Sequence, residues 1–321
     1  MNTTPYLVGI GEILWDVSAD GKTLGGAPAN FAYHAGAVSR LIGADTQGLV
    51  VSAIGNDELG AETVSALQSV NLDYKLPVVD YPTGWVKVDY DEKGEPAYTI
   101  VEDVAWDHIP FEGLEKIAAQ TRAVCFGTLA QRSPESKATI RRFLDAVSPY
   151  CMKIYDINLR APFFTGEIVK DSLEICNVLK INKEEVVYLS RLLGCETLLQ
   201  VESNGWDHQL RQIAVKLCGD YGLKMVVVTC GMEGSFIFTE DGEVSFCGTP
   251  KVEQVSAVGA GDSFTGTLCA CLAAGWPVRR AHEAAVAVSA YVVTQPGAMP
   301  EMRKMDLLKE LIFPGWKSGE K

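Results

Sequence analysis

In Gly259-Ala260-Gly261-Asp262-Ser263-Phe264 a small-residue bend runs into an apolar helical pattern (Phe264, Leu268, Cys271, Leu272), with a carboxylate at the junction. The first amides of a helix lack partners within it and carry partial positive charge, so a glycine-rich approach to them suits an anion. Asp262 at such an end is either a helix N-cap or a base. As a base it takes a proton from a hydroxyl while the Gly259, Ala260 and Gly261 amides receive a transferring phosphoryl group. That chemistry needs a positioned proton acceptor and preorganised donors.

A second segment, Gly25-Gly26-Ala27-Pro28-Ala29-Asn30, precedes another helical pattern. Its glycines permit close backbone approach to a small ligand, and Asn30 offers both a donor and an acceptor. Asp16, at the end of the strand-like Ile13–Val17, is suited to vicinal hydroxyls. Taken singly, each of these also reads as a turn or cap residue. Two other phosphate motifs fail. Gly21-Lys22-Thr23 would end a Walker A loop, but Asp16 stands where its first glycine is required. Gly9-Ile10-Gly11 would open a dinucleotide fingerprint, but Leu14 replaces the third glycine.

The elements that must position these residues follow from periodicity. Tyr6–Ile10, Leu49–Ile54, Val124–Gly127, Lys153–Ile157, Val178–Ile181 and Met225–Thr229 are short apolar runs. Helical patterns cover Ala29–Ile42, Asp57–Val70, Pro134–Val147, Glu167–Cys176, Lys183–Leu192, Gln209–Cys218, Asp262–Ala274 and Val278–Val293. This alternation predicts an α/β fold with a mostly parallel central sheet and helices on both faces. Between about 74 and 103 the helical period disappears. Trp85–Tyr90 alternates with period two, Asp91-Glu92-Lys93-Gly94 is turn chemistry, and a strand follows. An antiparallel insertion is expected there, and a hairpin over Ser235–Phe238 and Val244–Cys247. The tail Lys317–Lys321 is expected to fray.

Composition narrows the function. With 321 residues, 47% of them hydrophobic, the chain can build a large core. A net charge of −13 gives no positive field for nucleic acid or anionic lipid. The nine cysteines are odd in number and lack CxxC spacing, so they read as reduced residues of a cytoplasmic protein. The four histidines are scattered and receive no role. No opening basic segment or membrane-length apolar run is present.

Taken together, the glycine segments resemble the two signatures of the ribokinase-like (PfkB) carbohydrate kinases, in order and separation. Ala53-Ile54-Gly55-Asn56-Asp57-Glu58-Leu59-Gly60 resembles that family's Gly-x-Asp-x-x-Gly segment. Asn182-Lys183-Glu184-Glu185 resembles its Asn-x-x-Glu motif, and Val228–Gly234 its Thr-x-Gly turn. The resemblance implies one kinase domain over 1–321, with a discontinuous β lid at about 17–24 and 74–103. It implies Asp262 as catalytic base and the Gly259, Ala260 and Gly261 amides as an anion hole. Asp16, Gly26 and Asn30 would hold sugar hydroxyls. Asn182 and Glu185 would act near magnesium and the triphosphate, Glu185 through water. Thr229 and Gly231 would line the ATP path. A homodimer through the lid is also implied.

Gly-Gly-Ala-Pro-Ala-Asn and Asp156-Ile157-Asn158-Leu159-Arg160 look like fructokinases, which implies fructose as acceptor and Arg160 on sugar or phosphate oxygens. Arg160 also reads as a surface ion pair. Ribose, a nucleoside, a sugar acid or a phosphorylated sugar are the alternatives within the family. A non-catalytic sugar- or nucleotide-binding regulator is the alternative outside it. Departures exist. Ser256 stands where members with a monovalent-cation site carry Asp, which puts potassium activation in doubt. Val286 and Gln295 stand where Asn and Arg are common, which leaves nucleotide preference open.

Overall fold

Successive residues of the central strands point to opposite sides, and both sides are apolar. In β1 (Tyr6–Ile10), Val8 and Ile10 join one core and Leu7 the other. Such strands require cover on both faces. The computed structural model describes residues 4–18, 21–90, 96–199 and 206–302. Asp91–Gly94 and Lys317–Lys321 lie outside the described residues.

After β1 come β2 (Leu14–Ser18), β3 (Gly21–Gly25), α1 (Ala27–Ile42), β4 (Gln47–Val51), β5 (Ile54–Gly55) and α2 (Glu58–Ser69). Next are β6 (Asp73–Lys75), β7 (Val78–Val79), β8 (Trp85–Tyr90), β9 (Pro96–Ile100), α3 (Glu115–Ala119), β10 (Thr121–Phe126) and α4 (Pro134–Ala146). The middle of the chain forms β11 (Met152–Asp156), α5 (Gly166–Ile175), β12 (Val178–Asn182), α6 (Lys183–Leu192) and α7 (Trp206–Tyr221). Last are β13 (Met225–Thr229), β14 (Ser235–Thr239), β15 (Val244–Cys247), α8 (Ala260–Ala273) and α9 (Val278–Val292).

The large sheet has the order β15-β14-β13-β12-β11-β10-β1-β4-β6. Neighbours from β13 to β6 are parallel, and β14 and β15 add an antiparallel edge. One core packs α4, α5, α6 and α7 against the sheet through Phe143, Leu173, Leu189 and Ile213. The other packs α1, α8 and α9 through Phe31, Leu268 and Val288. Full burial of each such side chain stabilises the fold by roughly 1.5–3 kcal/mol. The expected α/β architecture is therefore observed.

The small separate sheet has the order β3-β2-β8-β9. It differs from the expected insertion at its edges. Residues 73–75 pair in parallel with β4 in the large sheet, and β7 pairs with β5. The insertion proper starts only at Trp85. Its entry is clamped by Asp57, which caps α2 through the Gly60 N–H (2.8 Å) and accepts from the Thr83 N–H (2.7 Å) and hydroxyl (2.6 Å). The Ala53–Gly60 motif thus fixes the base of the small sheet. Trp15 of β2 adds a bond from its indole N–H to Thr63 Oγ1 at 2.9 Å.

Candidate functional site

The two glycine segments meet. Asn30 Nδ2 donates to Asp262 Oδ2 at 2.7 Å across 232 residues of sequence. The contact depends on α1 and α8 lying almost backbone to backbone. A Cβ on Gly266 would stand 2.7 Å from Phe31 O and 3.0 Å from Ala35 N. No side chain fits there, so Gly266 sets the separation that lets Asn30 reach Asp262.

Asp262 is not an N-cap. Gly259, with φ +79°, occupies that position, and Asp262 is the third helical residue. Its carboxyl is therefore free of capping and faces the cleft. Burial, helped by the nearby Asp156 carboxylate, pushes its pKa up to about 6, against the Asn30 hydrogen bond and the charges of Lys180 and Arg160. A carboxylate near this value is still ionised at neutral pH and is a better proton acceptor than an exposed one. Among the amides expected to form an anion hole, those of Gly259 and Gly261 have no acceptor among the described residues, and the Asp262 amide joins them. The Ala260 amide instead donates to Ala257 O at 3.3 Å. The turn is braced from α9, where Ser289 Oγ donates to Ala260 O at 2.9 Å.

The segment expected to hold sugar hydroxyls is assembled beyond the end of β1 and at the start of α1. Gly26 is the N-cap of α1, with φ +110°, and a Cβ there would stand 2.5 Å from Glu12 O. Asn30 is buried, and its Oδ1 has no partner. The amide orientation follows from Asp262, which needs a donor, so Oδ1 remains an acceptor for a ligand hydroxyl. Asp16 lies in β2 beside Thr23 of β3 and Val86 of β8. Its Oδ2 is 3.0 Å from the Cβ position of Gly25, which places the carboxyl over the glycine turn. Burial raises the Asp16 pKa and the Arg160 charge opposes that. Arg160 is exposed, and its charge acts on Glu12, Asp16 and Asp262 alike. Among the described residues it forms no surface ion pair.

Beneath the α8 turn lies a buried ion pair that the sequence reading did not single out. Lys180 Nζ is 3.0 Å from Asp156 Oδ1, and both side chains are about nine-tenths buried. Thr265 Oγ1 lies 2.9 Å from Gly261 O and 3.3 Å from Asp156 Oδ2. Burial alone would lower the Lys180 pKa, but Asp156, Glu185 and Asp262 together hold it above the usual value. The available signal was a lysine inside the otherwise apolar run Val178-Leu179-Lys180-Ile181. Glu12, between Gly11 and Ile13, was missed for a similar reason.

The opposite wall comes from β12, α6 and β13. Asn182 caps α6: its Oδ1 accepts from the Glu184 N–H (3.0 Å) and the Glu185 N–H (2.9 Å). Glu185 Oε2 accepts from the Asn182 N–H (2.9 Å), and Oε1 from the Leu159 N–H (3.0 Å). This capping box joins α6 to the Asp156–Arg160 segment. Burial raises the Glu185 pKa, and Lys180 opposes it. Each carboxylate oxygen keeps a second lone pair for a metal-bound water. Oxygen donors of this kind suit magnesium, which retains most of its water. Among the described residues no group of three or more His, Cys, Asp or Glu side chains is placed to cage a metal. Thr229 pairs with Asn182 across the strands, and Gly231, with φ +56°, starts the turn after it. Apart from Asp16, which lies in the small sheet, the expected site residues lie at or just beyond the carboxyl ends of the parallel strands or at helix starts, where open α/β sheets bind ligands.

Among the described residues no helix is long and apolar enough to cross a membrane. All nine cysteines are free, and only Cys218 is not fully buried.

The sequence profile of the pfkB family carbohydrate kinases matches residues 6–305. An ATP-dependent 6-phosphofructokinase of Thermoanaerobacterium thermosaccharolyticum is 26% identical over 298 residues, covering 90% of this chain and 85% of its own. A fructokinase of Vibrio alginolyticus is 27% identical over 295 residues, covering 87% and 88%. The fold matches that of a fructokinase from Xylella fastidiosa with bound ATP, with a TM-score of 0.77 at 20% identity over 96% of this chain and 99% of the other. The chain belongs to the pfkB family of carbohydrate kinases.

Proposed function

We propose that this pfkB-family sugar kinase transfers the γ-phosphoryl group of ATP to a primary hydroxyl of D-fructose, giving fructose 6-phosphate and ADP. The observation that carries the reading is the 2.7 Å bond between Asn30 and Asp262, which sets an acceptor-side residue against a carboxylate beside open helix amides. Asp262 takes the hydroxyl proton as the oxygen–phosphorus bond forms and the bond to the β-phosphate oxygen breaks. The Gly259, Gly261 and Asp262 amides receive the charge on the transferring group. Asp16 and Asn30 orient the sugar hydroxyls, and Arg160 reaches over them. Thr229 and Gly231 line the triphosphate path. Asn182 and Glu185 would hold magnesium through its water shell, and the bound ion would supply charge neutralisation for the phosphates.

The small sheet, with β2 carrying Asp16, acts as the lid over the sugar. Excluding water matters because water competes with the sugar for the same phosphoryl group. Ser256 uses its hydroxyl to accept the Val258 N–H at 3.2 Å and offers no carboxylate, which supports activity without potassium. Free buried cysteines support a cytoplasmic setting. Pairing of two copies through the lid completes the proposal.

Fructose is favoured over charged acceptors by the local charge. Asp16, Asp156 and Asp262 face the site with Arg160, while Lys180 is bound to Asp156. The phosphofructokinase relative favours a second reading, in which the acceptor is a sugar phosphate held by Arg160. A coupled ADP-release assay with fructose, fructose 6-phosphate, ribose, 2-keto-3-deoxygluconate and inosine separates these. Fructose should give the highest kcat/KM. A preference for fructose 6-phosphate would replace this reading, and no turnover with any of them would leave a binding protein.

A further inference from the structure

Glu12 takes no part in the steps above, although it sits among the groups that do. It is 4% exposed, and Gly26 presses against its carbonyl. Backbone N–H groups of Glu12 and Ala27 steady the carboxyl, yet Oε2 has no partner. Glu12 lines a narrow cavity with Asp262, Asp156, Asn158, Thr128 and Cys125. The free room is about 10 Å³, enough for one oxygen-sized group.

The groups around Glu12 decide its form. Asp262 faces it from α8, Asp156 and Cys125 from β11 and β10, and Arg160 from the segment after β11. From α1 it meets Ala27, Pro28 and Phe31, none of which titrates. An ionised Glu12 would share an enclosed space with two further carboxylates. Burial pushes its pKa up to about 7, against the backbone N–H groups that favour the anion, and Asp262 adds to the rise. A neutral carboxyl whose second oxygen is unpaired has a hydroxyl to donate.

We propose that Glu12 is a specificity-determining residue of the acceptor site: its protonated carboxyl donates from Oε2 to an uncharged oxygen of the sugar, next to the hydroxyl that Asp262 deprotonates. The pair then works with one proton between two acids, Asp262 ionised and Glu12 neutral. Acceptors with an anionic group at that oxygen are rejected by Asp156 and Asp262. The inference rests on Asp262 receiving the acceptor proton.

The test is the pH dependence of the acceptor KM, with the ATP KM as control. Fructose is the probe, or the best-used sugar of the ADP-release panel. In the wild type, ionisation of Glu12 between pH 6.5 and 8.5 should raise the sugar KM by about tenfold or more while the ATP KM stays level. Glu12→Gln keeps a donor and cannot ionise, so its sugar KM should be flat over that range. Glu12→Ala should raise the sugar KM at every pH. A wild-type sugar KM that stays flat, a Gln variant that keeps the rise, or equal movement of both KM values overturns the proposal. Should Glu12→Gln fail to fold, the wild-type profile decides. Asp262→Asn, measured alongside, separates the two readings. Full turnover in that variant removes the assignment of the base, whereas lost turnover with a flat wild-type KM removes the role of Glu12 alone.

Discussion

On the acceptor side of the cleft, Asn30 Oδ1 and Glu12 Oε2 are buried without partners. Across the cleft, Asn182 Oδ1 and both oxygens of Glu185 are committed to backbone N–H groups. Each unmet buried polar atom costs the ligand-free fold about 1–3 kcal/mol, whereas a satisfied capping box stabilises it. On the proposed roles, the acceptor wall is incomplete until sugar arrives, whereas the Asn182–Glu185 capping box is satisfied before ATP arrives. Selectivity follows from the first arrangement, because an acceptor that fails to meet the open atoms leaves them unpaired.

That contrast can be broken most directly at the base. Asp262→Asn keeps the shape and should lower kcat by roughly 10²–10⁴ with little change in either KM. In the wild type, kcat/KM should also fall as pH drops below about 6, where Asp262 becomes protonated. Steady-state kinetics over pH 5–9 check both, and near-normal turnover in the variant would end the assignment.

Asp16→Ala should raise the sugar KM by about tenfold, the scale of one lost charged hydrogen bond, and leave the ATP KM alone. Equal changes in the two constants would erase the distinction between the walls.

Stability should show the same asymmetry. In the folded chain Glu12 has a pKa of about 7 against the ordinary 4.5. The folded form therefore holds the proton more tightly between these values. The associated stability is complete below 4.5 and is lost as pH rises through 7. Glu12→Gln is free of that loss, so its advantage over the wild type should grow by up to about 3 kcal/mol between pH 4.5 and pH 8. Thermal melts that stay parallel at the two pH values would contradict an unpaired buried acid. The smallest effect is expected on the nucleotide side. Asn182→Ala removes a helix cap and should cost about 1 kcal/mol of stability at any pH, read by urea unfolding.

Much of this was legible in the sequence because helix starts and strand ends are local patterns. The glycine segments, the Asn-x-x-Glu motif at Asn182 and the alternation of β and α elements were all read from residues within a few positions of one another. The meeting of Asn30 with Asp262 was not local. It depends on Gly266, whose missing side chain matters only once α1 lies against α8. Lys180 and Glu12 escaped notice because one charge in an apolar run does not show what it faces. The limits of the small sheet were misjudged because period-two alternation marks a strand but not its partner, so 73–79 could not be assigned to β4 and β5 in advance.

The tie between Asn30 and Asp262 also bears on how the protein is made. Asn30, proposed for the sugar side, is synthesised 232 residues before Asp262, the proposed proton acceptor. A copy that stops before α8 carries Asn30 but lacks the proposed proton acceptor. On the proposed roles, synthesis through α8 is a condition for phosphoryl transfer.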